Sequence, residues 1–240
     1  MSGMRSYGDP CGVARGLDII GERWALLVVR DLLLGPRRFN DLLGGLPGVS
    51  PNVLSQRLRQ LTEHGVVHRR DLGPPTRVHL YELTEWGRAL EPILLQFGRW
   101  GSQSPQSPDG PLGVDSLLLS IKAAFDPARA PELAGSYAFH IDADTYLAEV
   151  AGETVQLRRG TASAPDAALT TDIDTLRAVC GQEMTVGEAV ESGALRLSGD
   201  EEARRRLTDL LLAPFTLRPG PPRPDDRRSA PVENVTLGVG

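Results

Sequence analysis

The stretch SPNVLSQRLRQLTEHG at residues 50–65 constrains this chain more than any other, because it reads as a helix with two unlike faces. Ser50 suits the N-cap, Pro51 the first turn, and Gly65 a left-handed stop. Leu54, Leu58 and Leu61 recur at spacings of four and three, so they share one buried stripe, with Val53 and Arg57 at its margin. The opposite face carries Asn52, Ser55, Gln56 and Arg59. Donors, acceptors and a cation on one exposed face are what reading base edges in a major groove requires. An ordinary solvated helix face has a similar composition, so the flanking segments carry the decision.

Upstream, residues 39–44 read as a short helix, followed by a turn through Leu46, Pro47 and Gly48. Downstream, residues 66–71 and 77–83 read as two strands around a turn at 72–76. Helix, turn, helix and hairpin predict a winged helix-turn-helix, whose second helix enters the groove while the hairpin reaches along the backbone. Ahead of it, residues 11–20 form a helix with Val13, Leu17 and Ile20 on one side. Residues 24–34 form a helix that is apolar nearly all round and therefore central to the core. Arg37 and Arg38 then arrive where they can meet phosphate or form a solvated basic turn. Beyond the wing, Thr84 caps a helix running to Trp100, with Trp86, Leu90, Ile93, Phe97 and Trp100 as an apolar stripe and a kink or restart at Pro92. That stripe exceeds what a domain of about 100 residues needs for its own core. It serves either a twofold partner or the rear half of the chain. A twofold dimer would set two recognition helices about one turn of DNA apart, roughly 34 Å.

Charge divides the 240 residues in the same place. Residues 1–101 hold 13 Lys or Arg against 10 Asp or Glu, and the remainder holds 13 against 21, for a net −5. A mildly basic front and an acidic rear suit a front that meets phosphates, and argue against indiscriminate coating of nucleic acid. Two cysteines make no disulfide framework, no run of about 18 apolar residues suggests a membrane span, and the first residues lack the apolar core of a secretion signal. A soluble, cytoplasmic protein without membrane contact is expected. His64, His68, His79 and His140 form no metal pattern, because Gly65 separates the first two into helix end and strand. No phosphate loop or nucleophile elbow is present, so neither catalysis nor a cofactor is expected.

The run from Cys11 to Arg70, followed by YELTEWGRALEPILLQFGRW, resembles the HxlR-type winged helix-turn-helix transcription regulators of bacteria over residues 7–101. Its motifs are LDIIG with Arg23-Trp24, Arg38-Phe39, the recognition stretch and Tyr81-Glu82-Leu83-Thr84. The resemblance implies a homodimer formed by the first and last helices of this half, bound to an inverted-repeat operator. It places DNA contacts on Ser50, Asn52, Ser55, Gln56 and Arg59, with wing contacts near Arg70 and Arg77; Arg38 adds a phosphate contact by its position. It also implies oxidant or electrophile sensing at Cys11, although Gly12 stands where the family more often has proline. Cys11 is otherwise a small buried residue of the dimer helix, and Arg15, four residues on, could assist its thiolate.

Residues 101–113 are rich in Ser, Pro and Gly and read as a linker, placed at 102–113 between domains at 1–101 and 114–213. Residues 115–125 read as a helix. Residues 136–141, 145–150, 154–159, 167–171 and 195–197 read as strands, with helices at 176–180, 186–191 and 201–212. Thr185 and Glu188 form a capping box, and strands flanked by grouped helices make an α+β layer. This order, with ESGALRLSGD at 191–200, resembles the sterol-carrier-protein fold and implies a cavity for a hydrophobic small molecule. Phe125, Tyr137, Phe139, Tyr146 and Met184 are candidate lining residues or plain core. The tail at 214–240 is expected to be disordered.

The expectation is therefore a dimeric repressor with sequence-specific DNA binding, tuned by a hydrophobic effector in the rear domain. The alternative is a lipid or small-molecule carrier that uses the winged domain as a dimerisation scaffold.

Overall fold

A computed structural model describes residues 6–74, 78–104, 110 and 112–214. The front half runs α1 (Gly12–Ile20), α2 (Ala25–Leu33), α3 (Phe39–Gly45), α4 (Pro51–Glu63), β1 (Val67–Asp71), β2 (His79–Leu83), α5 (Glu85–Arg88) and α6 (Glu91–Gly101). The caps follow the sequence signals. Ser50 Oγ accepts the Val53 N–H at 3.3 Å, and Gly65 at φ +73° turns the chain out of α4. Leu54, Leu58 and Leu61 are buried against Val28, Val29 and Leu32 of α2, Leu42 of α3 and Leu83 of β2. β1 and β2 pair antiparallel with Val67 opposite Leu83 and Asp71 opposite His79.

Of the kink or restart expected at Pro92 between Thr84 and Trp100, the structure shows a restart, with two helices. α5 ends at Arg88 with Ala89 as its C-cap, and Pro92 occupies the first turn of α6, where its missing N–H leaves no bond unmade. Thr84 Oγ1 accepts the Gly87 N–H at 3.0 Å and itself donates to the Gly65 carbonyl at 2.7 Å, which ties α5 to the end of α4. α2 also departs from its all-round apolar reading. Asp31 lies buried beside Arg30, 2.7 Å away, and burial raises its carboxyl pKa, while Leu27 remains exposed.

The rear half runs α7 (Val114–Ala124), a 3-10 turn (Pro127–Arg129), α8 (Ala130–Leu133), β3 (Gly135–Ile141), β4 (Asp144–Ala151), β5 (Thr154–Arg159), β6 (Ala167–Thr171), α9 (Ile173–Cys180), α10 (Val186–Glu191), β7 (Leu195–Gly199) and α11 (Glu201–Leu212). The five strands form one sheet in the order β5-β4-β3-β6-β7, in which β3 and β6 are parallel and the other neighbours antiparallel. The class is α+β, as the strand and helix pattern predicts. Thr185 and Glu188 cap α10 reciprocally at 3.2 and 2.8 Å. The turn at 127–129 and α8 were not foreseen, because two prolines in seven residues obscure so short a helix.

Two hydrophobic clusters result, one in each half, and they meet at the end of α2. Leu33 touches both clusters, and Leu34, only 1% exposed, belongs to the rear one. The Arg159 N–H at the end of β5 donates to the Leu34 carbonyl at 2.6 Å.

Gly87 gives this packing a test of sign. A Cβ there would sit 2.1 Å from the Val66 carbonyl oxygen. Helix propensity alone predicts that Gly87→Ala stabilises by up to about 1 kcal/mol. The close approach predicts the opposite, a loss of about 1–3 kcal/mol as the backbone is displaced, measurable by urea unfolding.

Candidate nucleic-acid interface

α4 presents Asn52, Ser55, Gln56 and Arg59 to solvent on the side away from its leucines. The Ser50 hydroxyl, exposed at its N-terminus, keeps a proton to donate while capping Val53. Arg59 Nε lies 3.8 Å from Glu63 Oε1, an exposed pair too weak to hold the guanidinium in place. Arg57, read from sequence as marginal, is 8% exposed and has a positioning task. Its Nε donates to the Arg23 carbonyl at 3.0 Å, its Nη2 to Glu22 Oε2 at 2.9 Å, and its Nη1 to Gln60 Oε1. The corner it grips holds Trp24 in the left-handed region at φ +80°, with the Arg23 guanidinium 5.1 Å over the indole ring. The α1–α2 corner is thereby fastened to the recognition helix. Nothing in the local pattern marks Arg57, because its partners lie 34 and 35 residues away.

On the wing, Arg70 is exposed with Nε 3.7 Å from Glu82 Oε2. Glu82 also receives Arg88 Nη2 at 3.0 Å and faces His68 Nε2 at 3.6 Å. Arg69, passed over in the sequence, is exposed on the opposite face of β1, a placement that strand alternation could have signalled. Arg77 lies outside the described residues. Arg38 is exposed at the start of α3, where its N–H donates to Asp41 Oδ2 at 3.1 Å. Arg37 takes neither of the roles its sequence position offers. It turns inward, and its Nη2 meets Asp115 Oδ2 at 2.5 Å.

α1, α5 and α6 leave an apolar surface uncovered. Val13, Leu17, Trp86, Ile93, Phe97 and Trp100 are all exposed, Trp100 at 69%, and the Phe97 and Trp100 rings lie 5.6 Å apart. Between these helices lies an apolar groove of about 140 Å³ that includes Ile19, Ile20, Leu90 and Ile93. α6 also touches α7, through Lys122 Nζ 2.6 Å from Glu91 Oε1 and an Arg99 bond to the Ala123 carbonyl. Contact with the rear half and an uncovered apolar side thus coexist on one helix.

Cys11, at the N-cap of α1, is exposed and not a buried residue of this protomer. The Val13 and Ala14 backbone N–H groups at the helix start hold its thiol pKa below the ordinary value. Arg15 is not among the causes. Cys180, buried in the rear core, is pushed up to about 12 by desolvation. Among the described residues, no group of three or more His, Cys, Asp or Glu could hold a metal ion, and no helix is long and apolar enough to cross a membrane.

The rear candidates divide. Tyr137, Phe139 and Tyr146 are fully buried, whereas Phe125 and Met184 are half-buried at the edge of the cluster. The Tyr137 hydroxyl donates to the Leu133 carbonyl at 2.7 Å and the Tyr146 hydroxyl to Asp115 Oδ1 at 2.9 Å. Desolvation raises both phenol pKa values, so both remain donors at neutral pH.

A capped recognition helix behind a short support helix, with a two-stranded hairpin beside it, defines the front half as a winged helix-turn-helix domain. The family model described as HxlR-like helix-turn-helix matches residues 19–108. Over 90 residues the chain is 42% identical to the uncharacterized HTH-type transcriptional regulator YvaP of Bacillus subtilis, covering 37% of this chain and 82% of that one. The protein belongs to the HxlR-like helix-turn-helix family. Among solved structures, the redox regulator HypR in its oxidized form is 35% identical, covering 40% of this chain and all of that one, at a TM-score of 0.39. The sterol carrier protein 2 like 2 of Aedes aegypti is 25% identical, covering 40% of this chain and 94% of that one, at a TM-score of 0.35.

Two outcomes follow from these placements. Iodoacetamide at pH 7.5 should label Cys11 in the folded protein and reach Cys180 only after unfolding, read by peptide mass spectrometry. Arg57→Ala strands the Arg23 carbonyl and should lower stability by about 1–3 kcal/mol, read by denaturant unfolding.

Proposed function

We propose that the protein is a sequence-specific transcription regulator that binds operator DNA as a homodimer and acts as a repressor. The observation that carries this reading is the exposed Asn52, Ser55, Gln56 and Arg59 face on a helix whose other side is locked into the core. Amide and guanidinium groups on that face suit bidentate contacts to adenine and guanine edges. Arg38 and Arg70 flank it at positions suited to phosphate, with Ser50 at the helix end, and the resemblance adds Arg77. The uncovered apolar side chains of α1, α5 and α6 are assigned to a second copy of the chain. Family membership supports regulation over catalysis, and a regulator of this kind works in the cytoplasm.

The rear domain, sterol-carrier-like by its sequence pattern, is read as the regulatory module. A hydrophobic effector would enter at Phe125 and Met184, the two half-buried candidates, since Tyr137, Phe139 and Tyr146 are sealed. An effector that binds one arrangement of the dimer better than another shifts operator affinity by that difference, typically about 1–3 kcal/mol. A second input is favoured by Cys11, whose exposed thiol has a lowered pKa and suits reaction with an oxidant or electrophile.

The test is binding to DNA upstream of its own gene and to sites recovered by genome-wide selection, across a salt series and against scrambled DNA. Gln56→Ala with Arg59→Ala should remove about 1–3 kcal/mol of preference for each base pair read. Arg70→Ala should weaken all DNA alike and reduce the salt slope by about one. If no recovered site is bound in preference to scrambled DNA, the carrier alternative takes its place, whereas sequence-dependent binding unchanged by the double substitution would move base reading away from Gln56 and Arg59.

A further inference from the structure

The residues that join the two halves of the chain also join the rear domain to the wing. Residues 34–37 form the link between α2 and α3, and each side of that link is bonded to a different structure. On the rear side, Leu34 is buried in the rear cluster and its carbonyl accepts the Arg159 N–H at 2.6 Å. Arg159 Nη1 reaches the carbonyls of Asp31 and Gly35, both at 3.3 Å. On the wing side, Arg37 forms an antiparallel bridge with Tyr81 of β2: its N–H donates to the Tyr81 carbonyl at 3.0 Å, and the Tyr81 N–H returns a bond at 2.8 Å. The link is in effect a third, one-residue strand of the wing.

One side chain keeps the two sides in register. Asp115, in the first turn of α7, is 7% exposed. Its Oδ2 takes both the Arg37 and the Arg159 guanidinium, and its Oδ1 takes the Tyr146 hydroxyl at 2.9 Å. The Arg159 guanidinium also lies 5.4 Å over the Tyr146 ring. Three elements of the rear domain, α7, β4 and β5, thus converge on the residue whose backbone pairs with the wing. Arg38, the next residue, opens α3 on the proposed DNA face.

We infer that the rear domain sets the order of the wing through the Asp115–Arg37 contact, so that a change at the α7, β4 and β5 junction is delivered to Tyr81 and Arg38. A buried carboxylate shared by two guanidinium groups suits this task. Removing the carboxylate would leave two guanidinium groups without a counter-charge, and the forked donors meet it in one geometry rather than its neighbours. The regulatory meaning of this link rests on the DNA-binding reading, but the link itself can be measured without DNA, so the two can fail separately.

The experiment is amide hydrogen exchange on the full chain, comparing wild type with Arg37→Met, Asp115→Asn and Lys122→Ala. Arg37→Met removes the guanidinium and leaves the backbone bridge possible, so it serves if Asp115→Asn fails to fold. Lys122→Ala cuts a separate contact between the halves, the ion pair with Glu91. The expected result is that Arg37→Met speeds exchange at Tyr81 and Arg37 by about fivefold or more, with β3 and β4 protected as in wild type. Lys122→Ala should leave the wing unchanged. Unchanged exchange at Tyr81 in Arg37→Met overturns the inference. Equal acceleration by Lys122→Ala also overturns it, since that would be general loosening of the two halves.

Discussion

The carboxylate of Asp115 is the contact on which the arrangement of the two halves depends. It is buried, and the donors around it come from residues 37, 146 and 159. Removing ions from water costs several kcal/mol each, and their attraction repays this only when the geometry is good and remaining bonds are made. Here one oxygen serves two guanidinium groups and the other serves a phenol. Deleting the carboxylate, which leaves both guanidinium groups uncompensated, typically costs about 3–5 kcal/mol. Its contribution is best understood as selectivity of docking. Apolar surfaces such as those of Leu33 and Leu34 tolerate sliding, whereas forked donors and a carboxylate meet in one position. The Arg159 backbone bond to Leu34 then adds a strand-like contact at the same place.

Much of the fold was legible because its signals are local. Ser50 and Gly65 bound the recognition helix, Thr185 and Glu188 cap α10, and alternating apolar residues mark the strands. All of these act within a few residues. Pro92 announced a break but not its form, since a proline inside a helix and one in the first turn of the next look alike in sequence. The side chains whose roles were illegible have distant partners. Arg57 reads as marginal to the buried stripe until Glu22 and Arg23 are brought to it, and Arg37 reads as a phosphate contact or a solvated basic turn until α7 arrives 78 residues later. Tyr146 was grouped with cavity candidates for its aromatic ring, yet its hydroxyl has the more specific partner in Asp115. For the exposed polar face of α4, sequence and structure coincide in placement, because a helix with one committed side leaves the other side no choice of direction.

The wing shows how charge on such a face is restrained. Glu82 stands among His68, Arg70 and Arg88, so the hairpin carries less net positive charge than its arginines suggest. Attraction to phosphate is indifferent to sequence and grows with every unneutralised cation. On the DNA-binding reading, a carboxylate within the wing limits that indifferent component and leaves a larger share of the discrimination to Gln56 and Arg59. The acidic rear half acts in the same direction at longer range, within the limits of salt screening.

Leu34 bears on where this chain can be divided. Composition puts the joint at the Ser, Pro and Gly-rich residues after α6, yet packing puts a front-half leucine inside the rear core. A fragment cut at the compositional joint would carry an exposed Leu34 and an Arg37 with no carboxylate to meet, while the rear fragment would keep a leucine-sized vacancy. In recombination terms the two halves are no longer interchangeable parts: a winged domain grafted here from a stand-alone relative would need an apolar residue at this corner and an arginine three positions on before the rear domain could recognise it.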